Sequence, residues 1–302
     1  EDGDGSVTAE NGNRGSYSRD GYRGERGRDG KEGQRGHDGM RGTDGSYGLH
    51  GMGGEGGKGG DAVAEGFHVS DNSSMNLTAG DITVRAAAGN GGDGGKAGYN
   101  RIPHYATAGS VGGDAGAGGD ATATGIHASG NAGLLVKTTN IAVEAQGGNA
   151  GLPGRGKNAA GDGNVGGNAL ATGVSLTGDE GGNVRAVMTV DSITARAMAG
   201  SGSGDLPDAT AVAKAVEMKN ATARLASSAD SDLSLFAKAT APGSAGNSFA
   251  VEMTDSDLIL DAGTNNINLT GTITATHSVL TLKSNAVISS NSGDSPSGRA
   301  GS

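Results

Sequence analysis

From residue 61 onward the chain alternates. Small and apolar residues hold every second place in DAVAEGFHVS (61–70), DATATGIHAS (120–129), NALATGVSLT (168–177), DATAVAKAVE (208–217) and NSFAVEMTDS (247–256), each opened by Asp or Asn. Period two is the mark of a strand with one buried face. A polar turn and a second alternating run follow each: DITVRAAA (81–88), NIAVEAQ (140–146), SITARAMA (192–199), DLSLFAKA (232–239) and NINLTGTITAT (266–276). The pattern assigns Ile82, Val84, Ala86, Ile141, Val143, Ala145, Ile193, Ala195, Ala197, Leu233, Leu235 and Ala237 to the inward face. The openings are 59, 48, 40 and 39 residues apart.

Between the first repeats lie glycine tracts: GNGGDGGKAG from 89, GSVGGDAGAGGD from 109, GGNAGLPGRG from 147 and a shorter GSGSG from 200. Their triplet phase is brief, which suits short polyglycine-II rods joined by turns. The expected fold is therefore all-β: a repetitive β-solenoid or stacked-strand core carrying glycine-rich polyglycine-II or polyproline-II rods. Such a repeat is poor alone and buries its face on its neighbours. The expected organisation is a Gly-X-X tract over 1–60, four β-repeats with glycine inserts over 61–246, and a glycine-poor β cap or assembly edge with a polar tail over 247–302.

Before the alternation begins, glycine stands at 12, 15, 21, 24 and every third place to 60, broken only by Ser18. Gly21, Gly24, Gly27, Gly30, Gly33, Gly36, Gly39, Gly42, Gly45, Gly48, Gly51, Gly54, Gly57 and Gly60 are the structural glycines of this track. Three residues per turn is the polyproline-II period, and it lines glycine along one edge where another backbone can approach. Two assemblies use such an edge: a collagen triple helix, or a bundle of rods within one chain. The track contains no proline, so each residue has more conformational entropy to lose. As one straight helix it would reach roughly 150 Å. The alternative fold reading is thus an N-terminal collagen triple helix followed by a β-solenoid.

The Gly-X-Y run, with oppositely charged neighbours such as Glu25–Arg26 and Lys31–Glu32, resembles collagen-like regions of microbial surface proteins and viral fibres. The glycine tracts behind it resemble those of large glycine-rich bacterial surface proteins and adhesins. That resemblance implies an extracellular or cell-surface location and a structural or adhesive role.

Composition narrows the picture. Of 302 residues 61 are glycine and 3% are aromatic, with no Trp or Cys, so cohesion must come from backbone hydrogen bonds and repetition rather than a thick core. The net charge of −10 is spread along the chain and argues against a nucleic-acid partner, which needs a clustered basic face. No run of eighteen apolar residues exists, so no span of a membrane is expected. The opening EDGDGS is acidic and carries no apolar signal region; an exported chain would have lost its signal beforehand.

Candidate chemistry is sparse, and no enzyme is expected. The histidines are His37, His50, His68, His104, His127 and His277, without HExxH or CxxC spacing. His68 and His127 hold equivalent repeat places, either as an echo of the repeat or as a stack that binds a metal. Ser175 has no His and Asp beside it in sequence. Alternate Asp2 and Asp4 in DGDGS resemble the opening of a calcium loop, without its late glutamate, so calcium is the one cofactor considered. The expected function is an extracellular structural protein that self-assembles into a fibre, filament or matrix through strand edges and glycine rods. A surface adhesin or phage tail-fibre receptor-binding module, and an ice-binding protein suggested by Thr122, Thr124, Thr272, Thr274 and Thr276, are the alternatives. The expected partners are copies of itself, as a homopolymer or trimer, and cell-surface glycans.

Overall fold

The computed structural model describes residues 53–97, 111–156, 159–179, 183–203, 209–284 and 288–291. Asp2, Asp4 and the track glycines from Gly21 to Gly51 lie outside them. The described residues form an all-β solenoid with no helix. Each coil lays down one strand in each of three parallel sheets. The first coil is β1 (Ala62–Val69), β2 (Ser74–Thr78) and β3 (Asp81–Ala87); the second is β4 (Ala121–Gly130), β5 (Gly133–Lys137) and β6 (Asn140–Gln146). The third is β7 (Ala169–Gly178), β8 (Val184–Thr189) and β9 (Ser192–Met198). The fourth is β10 (Ala211–Lys219), β11 (Ala221–Ala226) and β12 (Leu233–Ala241), which also carries the two-residue antiparallel β13 (Ser244–Ala245). The fifth is β14 (Asn247–Thr254), β15 (Asp257–Gly263) and β16 (Ile267–Thr270), and the sixth is β17 (Thr272–Thr276), β18 (Val279–Ser284) and β19 (Ile288–Asn291). Strand order is β1-β4-β7-β10-β14-β17 in the first sheet, β2-β5-β8-β11-β15-β18 in the second and β3-β6-β9-β12-β16-β19 in the third.

Three details differ from the pattern reading. Each repeat contributes three strands rather than two, because a short middle strand lies between the two long alternating runs. The run 266–276 is two strands in different sheets, parted at Gly271, whose φ of +123° only glycine adopts without strain. In the fourth coil the register places Ala211 beside Ala169 and Val212 beside Asn247, offsets of 42 and 35, so the coil opens at Thr210 rather than Asp208. Tight turns between sheets fall on Asp71, Asn72, Gly130, Asn220, Asp255 and His277, all with positive φ. Glycine, Asn and Asp tolerate that region best.

The inward side chains expected from alternation are all buried. Their sizes fall along the chain as it leaves the second sheet: Ile82, Val84, Ala86, Ala88, then glycine; Ile141, Val143, Ala145, then Gly147. In the first sheet the third coil runs the opposite way, from Ala169 and Ala171 to Val174 and Leu176. Met188, Leu225, Leu258 and Leu260 fill the wide end against the second sheet. The core is a wedge, and side-chain size sets how far the first and third sheets stand apart.

At its thin end the wedge continues as a bundle of glycine rods. Rods 53–61, 111–120 and 159–168 run straight into first-sheet strands; rods 88–97, 146–156 and 199–203 run straight out of third-sheet strands. Within a layer rods are parallel: the N–H groups of Gly53, Gly56 and Gly59 donate to the carbonyls of Val111, Asp114 and Ala117. Between layers they are antiparallel: Gly113, Gly116 and Gly119 donate to Gly95, Gly92 and Gly89, and Gly148, Gly151 and Gly154 to Gly119, Gly116 and Gly113. Two residues of a regular triplet, most often both glycine, are therefore committed to neighbouring rods, and Ala115 and Ala150 hold such places too, donating to the Asp162 and Ser201 carbonyls. A Cβ on Gly116 would overlap the Gly57 carbonyl. Asx side chains supply acceptors for the third N–H. Asp61 accepts from Asp120 N–H at 2.8 Å, Asp120 from Asn168 N–H at 2.7 Å and Asn168 from Thr210 N–H at 2.9 Å. That ladder accounts for the Asp or Asn that opens each of the first three coils, Asp61, Asp120 and Asn168. Every buried backbone donor needs such a partner.

Candidate functional site

The first-sheet strands bend part-way along. In β4 two successive residues, Gly125 and Ile126, are buried, so the alternation changes phase there. A Cβ at Gly125 would meet the Gly173 carbonyl and the Ile141 and Val143 methyl groups, which explains the small residue at this corner. Outer-face residues three apart across the bend lean together. Thr172 and Ser175 accordingly lie on the outer face yet are 3% and 7% exposed. The result is a polar groove along the stack, lined by two columns in register. One holds Glu65, Thr124, Thr172 and Lys214; the other holds His68, His127, Ser175, Glu217, Glu252 and Thr274.

The ends of the groove differ in chemistry. At one end His68 stacks on His127, with centroids 4.8 Å apart and planes 10° from parallel. That separation is the spacing of neighbouring strands, so in-register placement alone brings the rings together. Glu65 Oε1 stands 3.1 Å from His68 Nδ1 and 3.7 Å from His127 Nδ1. Toward the other end Lys214 Nζ lies 2.6 Å from both Glu217 Oε1 and Glu252 Oε2. Burial by itself would lower the Lys214 pKa, but the hydrogen bonds and charges of the two carboxylates outweigh it and hold the ammonium above its ordinary value. Ser175, isolated in sequence, stands beside His127 in the ladder.

No family model, curated protein or solved structure matches this chain.

Two other surfaces stand out. On the second sheet Leu135, Val187, Arg224 and Ile259 follow one another in an outward column, apolar but for Arg224, in a shallow groove of about 660 Å³ that Arg185 also lines. Leu135 is 52% exposed and Val187 49%. At the C-terminal end of the stack every residue of β17 is exposed. Of the track glycines, Gly54, Gly57 and Gly60 are buried in the first rod, where their carbonyls accept from Gly95, Gly92 and Gly89. Thr272, Thr274 and Thr276 face Phe249, Glu252 and Thr254 on the adjacent strand, so the threonine row is not repeated there. Among the described residues, no helix is long and apolar enough to cross a membrane.

Proposed function

We propose that this chain is an extracellular structural protein, not an enzyme, whose copies join end to end into a filament. The observation that carries the reading is the open stack. β1, β2 and β3 form one terminal rung and β17, β18 and β19 the other, and each has a neighbour on one side only among the described residues. Unpaired strand edges are templates for another strand. Head-to-tail contact between two different ends generates an open filament wherever its rotation does not close a ring, and stacking rung on rung along one axis is such a contact. The rod bundle would keep successive copies in rotational register. The extracellular assignment rests on the resemblance of the glycine track to collagen-like surface and fibre proteins.

Electron microscopy of the purified protein at rising concentration tests this reading, with ordered filaments expected. Ile273→Lys places a charge on the terminal strand and should abolish them while leaving the circular dichroism of the monomer unchanged. A dispersed monomer at high concentration would overturn the proposal. A second reading, a surface adhesin, is favoured by the outward column of Leu135, Val187, Arg224 and Ile259, which joins apolar groups to a cation. In that case the dispersed protein binds cells or glycans, and Val187→Asp abolishes binding without altering assembly.

A further inference from the structure

We propose that Glu65, His68 and His127 form a binding site for a single borderline divalent transition metal ion of the Zn²⁺, Ni²⁺ or Cu²⁺ class. Among the described residues this is the group of three whose donor atoms all lie within 4.8 Å of one another. The donor set is two imidazole nitrogens and one carboxylate oxygen. Imidazole suits Zn²⁺, Ni²⁺ and Cu²⁺, whereas Ca²⁺ and Mg²⁺ take oxygen ligands. Zinc sits about 2.0–2.2 Å from such donors, and tetrahedral ligands around it then stand roughly 3.3–3.5 Å apart. The two histidine-to-carboxylate spacings, 3.1 and 3.7 Å, bracket that range. The rings stack nearly parallel, so the site closes when they turn until their nitrogen lone pairs converge on one point, a movement open to side chains that are a third to a half exposed. Three protein ligands leave a fourth position open toward solvent.

The backbone holds this arrangement in advance. Parallel pairing fixes His68 over His127, and the bend at Gly66 turns Glu65 toward both rings from three residues away. The same two columns carry Lys214 further along the stack, between Glu217 and Glu252. There a lysine ammonium neutralises the carboxylates. At the histidine end the corresponding neighbours of Glu65 are neutral threonines, Thr124 and Thr172, which leaves the carboxylate to the imidazoles.

The full chain, stripped with chelator and titrated with Zn²⁺ by calorimetry, should take up one ion per chain at the site, and its thermal midpoint should rise with Zn²⁺. Co²⁺ in place of zinc should give visible bands of low-coordinate, nitrogen-bound cobalt. His127→Ser is the discriminating variant, because serine already occupies that column at Ser175 and the coil accepts it. It should weaken Zn²⁺ binding by more than about 100-fold, given that even residues outside the ligand set are worth about 10–100-fold. Glu65→Gln should weaken it as well, and probes the same ligand set if His127→Ser proves unstable. Calcium should not compete. Zinc binding left unchanged by either variant would place the ion on other histidines and overturn the proposal, as would the lack of saturable binding.

Discussion

Between Ile141 and Gly154 one continuous stretch of chain crosses two regions that are held together differently. In the strand stack, neighbours are bound along the sheet by ladder hydrogen bonds, but the sheets face each other through Ile141, Val143 and Ala145. In the bundle the same layers face each other with no side chain between them, and Gly148, Gly151 and Gly154 bond directly to carbonyls opposite. The period changes from two to three at the same point. A strand has two faces, so half its side chains can be given to a core; a rod has three edges, and the one bonded to the opposite layer, as at Gly116 and Gly151, must be bare. Large residues are therefore needed where the layers are far apart and prohibited where they touch. Glycine, costly to order in most folds, is retained because each triplet makes backbone bonds in more than one direction.

Changes of a few atoms in opposite directions separate the two kinds of cohesion. Ile141→Ala removes volume from the wedge and should cost about 2–5 kcal/mol by denaturant unfolding, through lost burial and a residual cavity. Gly116→Ala adds one methyl to the bundle and should still destabilise, by about 1–3 kcal/mol, because that carbon falls on the Gly57 carbonyl. Ala115→Gly, one place away and at a position that already accepts a methyl, provides the control. A neutral Gly116→Ala would mean that rods are not in direct contact. The smallest effect belongs to surface charge on the strand stack. The Arg224 guanidinium at 2.8 Å, together with the Gly263 N–H, holds the Asp261 carboxyl below the usual range. A lowered folded-state value means that its stabilisation is present above about pH 4 and fades as pH falls through the folded pKa, which lies below 3.8. Asp261→Asn should flatten that acid limb of the thermal midpoint, by less than about 1 kcal/mol for so exposed a pair. Bundle variants should leave the limb unchanged.

The core is legible in the sequence because its alternation is long and regular: residues such as Ile82, Ile193 and Leu235 can be placed inward from spacing alone. The middle strands are not. β2 and β5 have five residues each, and no residue of β2 is fully buried, so its alternation carries little apolar contrast. Gly271 hides a change of sheet within an unbroken alternating run, since Thr-x-Thr continues on both sides of it. The equivalence of His68 and His127 is visible in the repeat, but Glu65 is not part of that pattern. It reaches them only because the strand bends at Gly66, and a strict period of two would place residues 65 and 68 on opposite faces. The same three-residue spacing between Lys214 and Glu217 is the signal that could have exposed the bend.

Because a rod advances by one turn every three residues and enters and leaves its coil at fixed rungs, its length is independent of the solenoid beneath it. Inserting one Gly-Gly-X unit into each of two facing rods should extend the bundle by a single turn, roughly 9 Å, without moving any strand. The molecule thus contains a spacer adjustable in whole steps, mounted on a scaffold that does not register the adjustment.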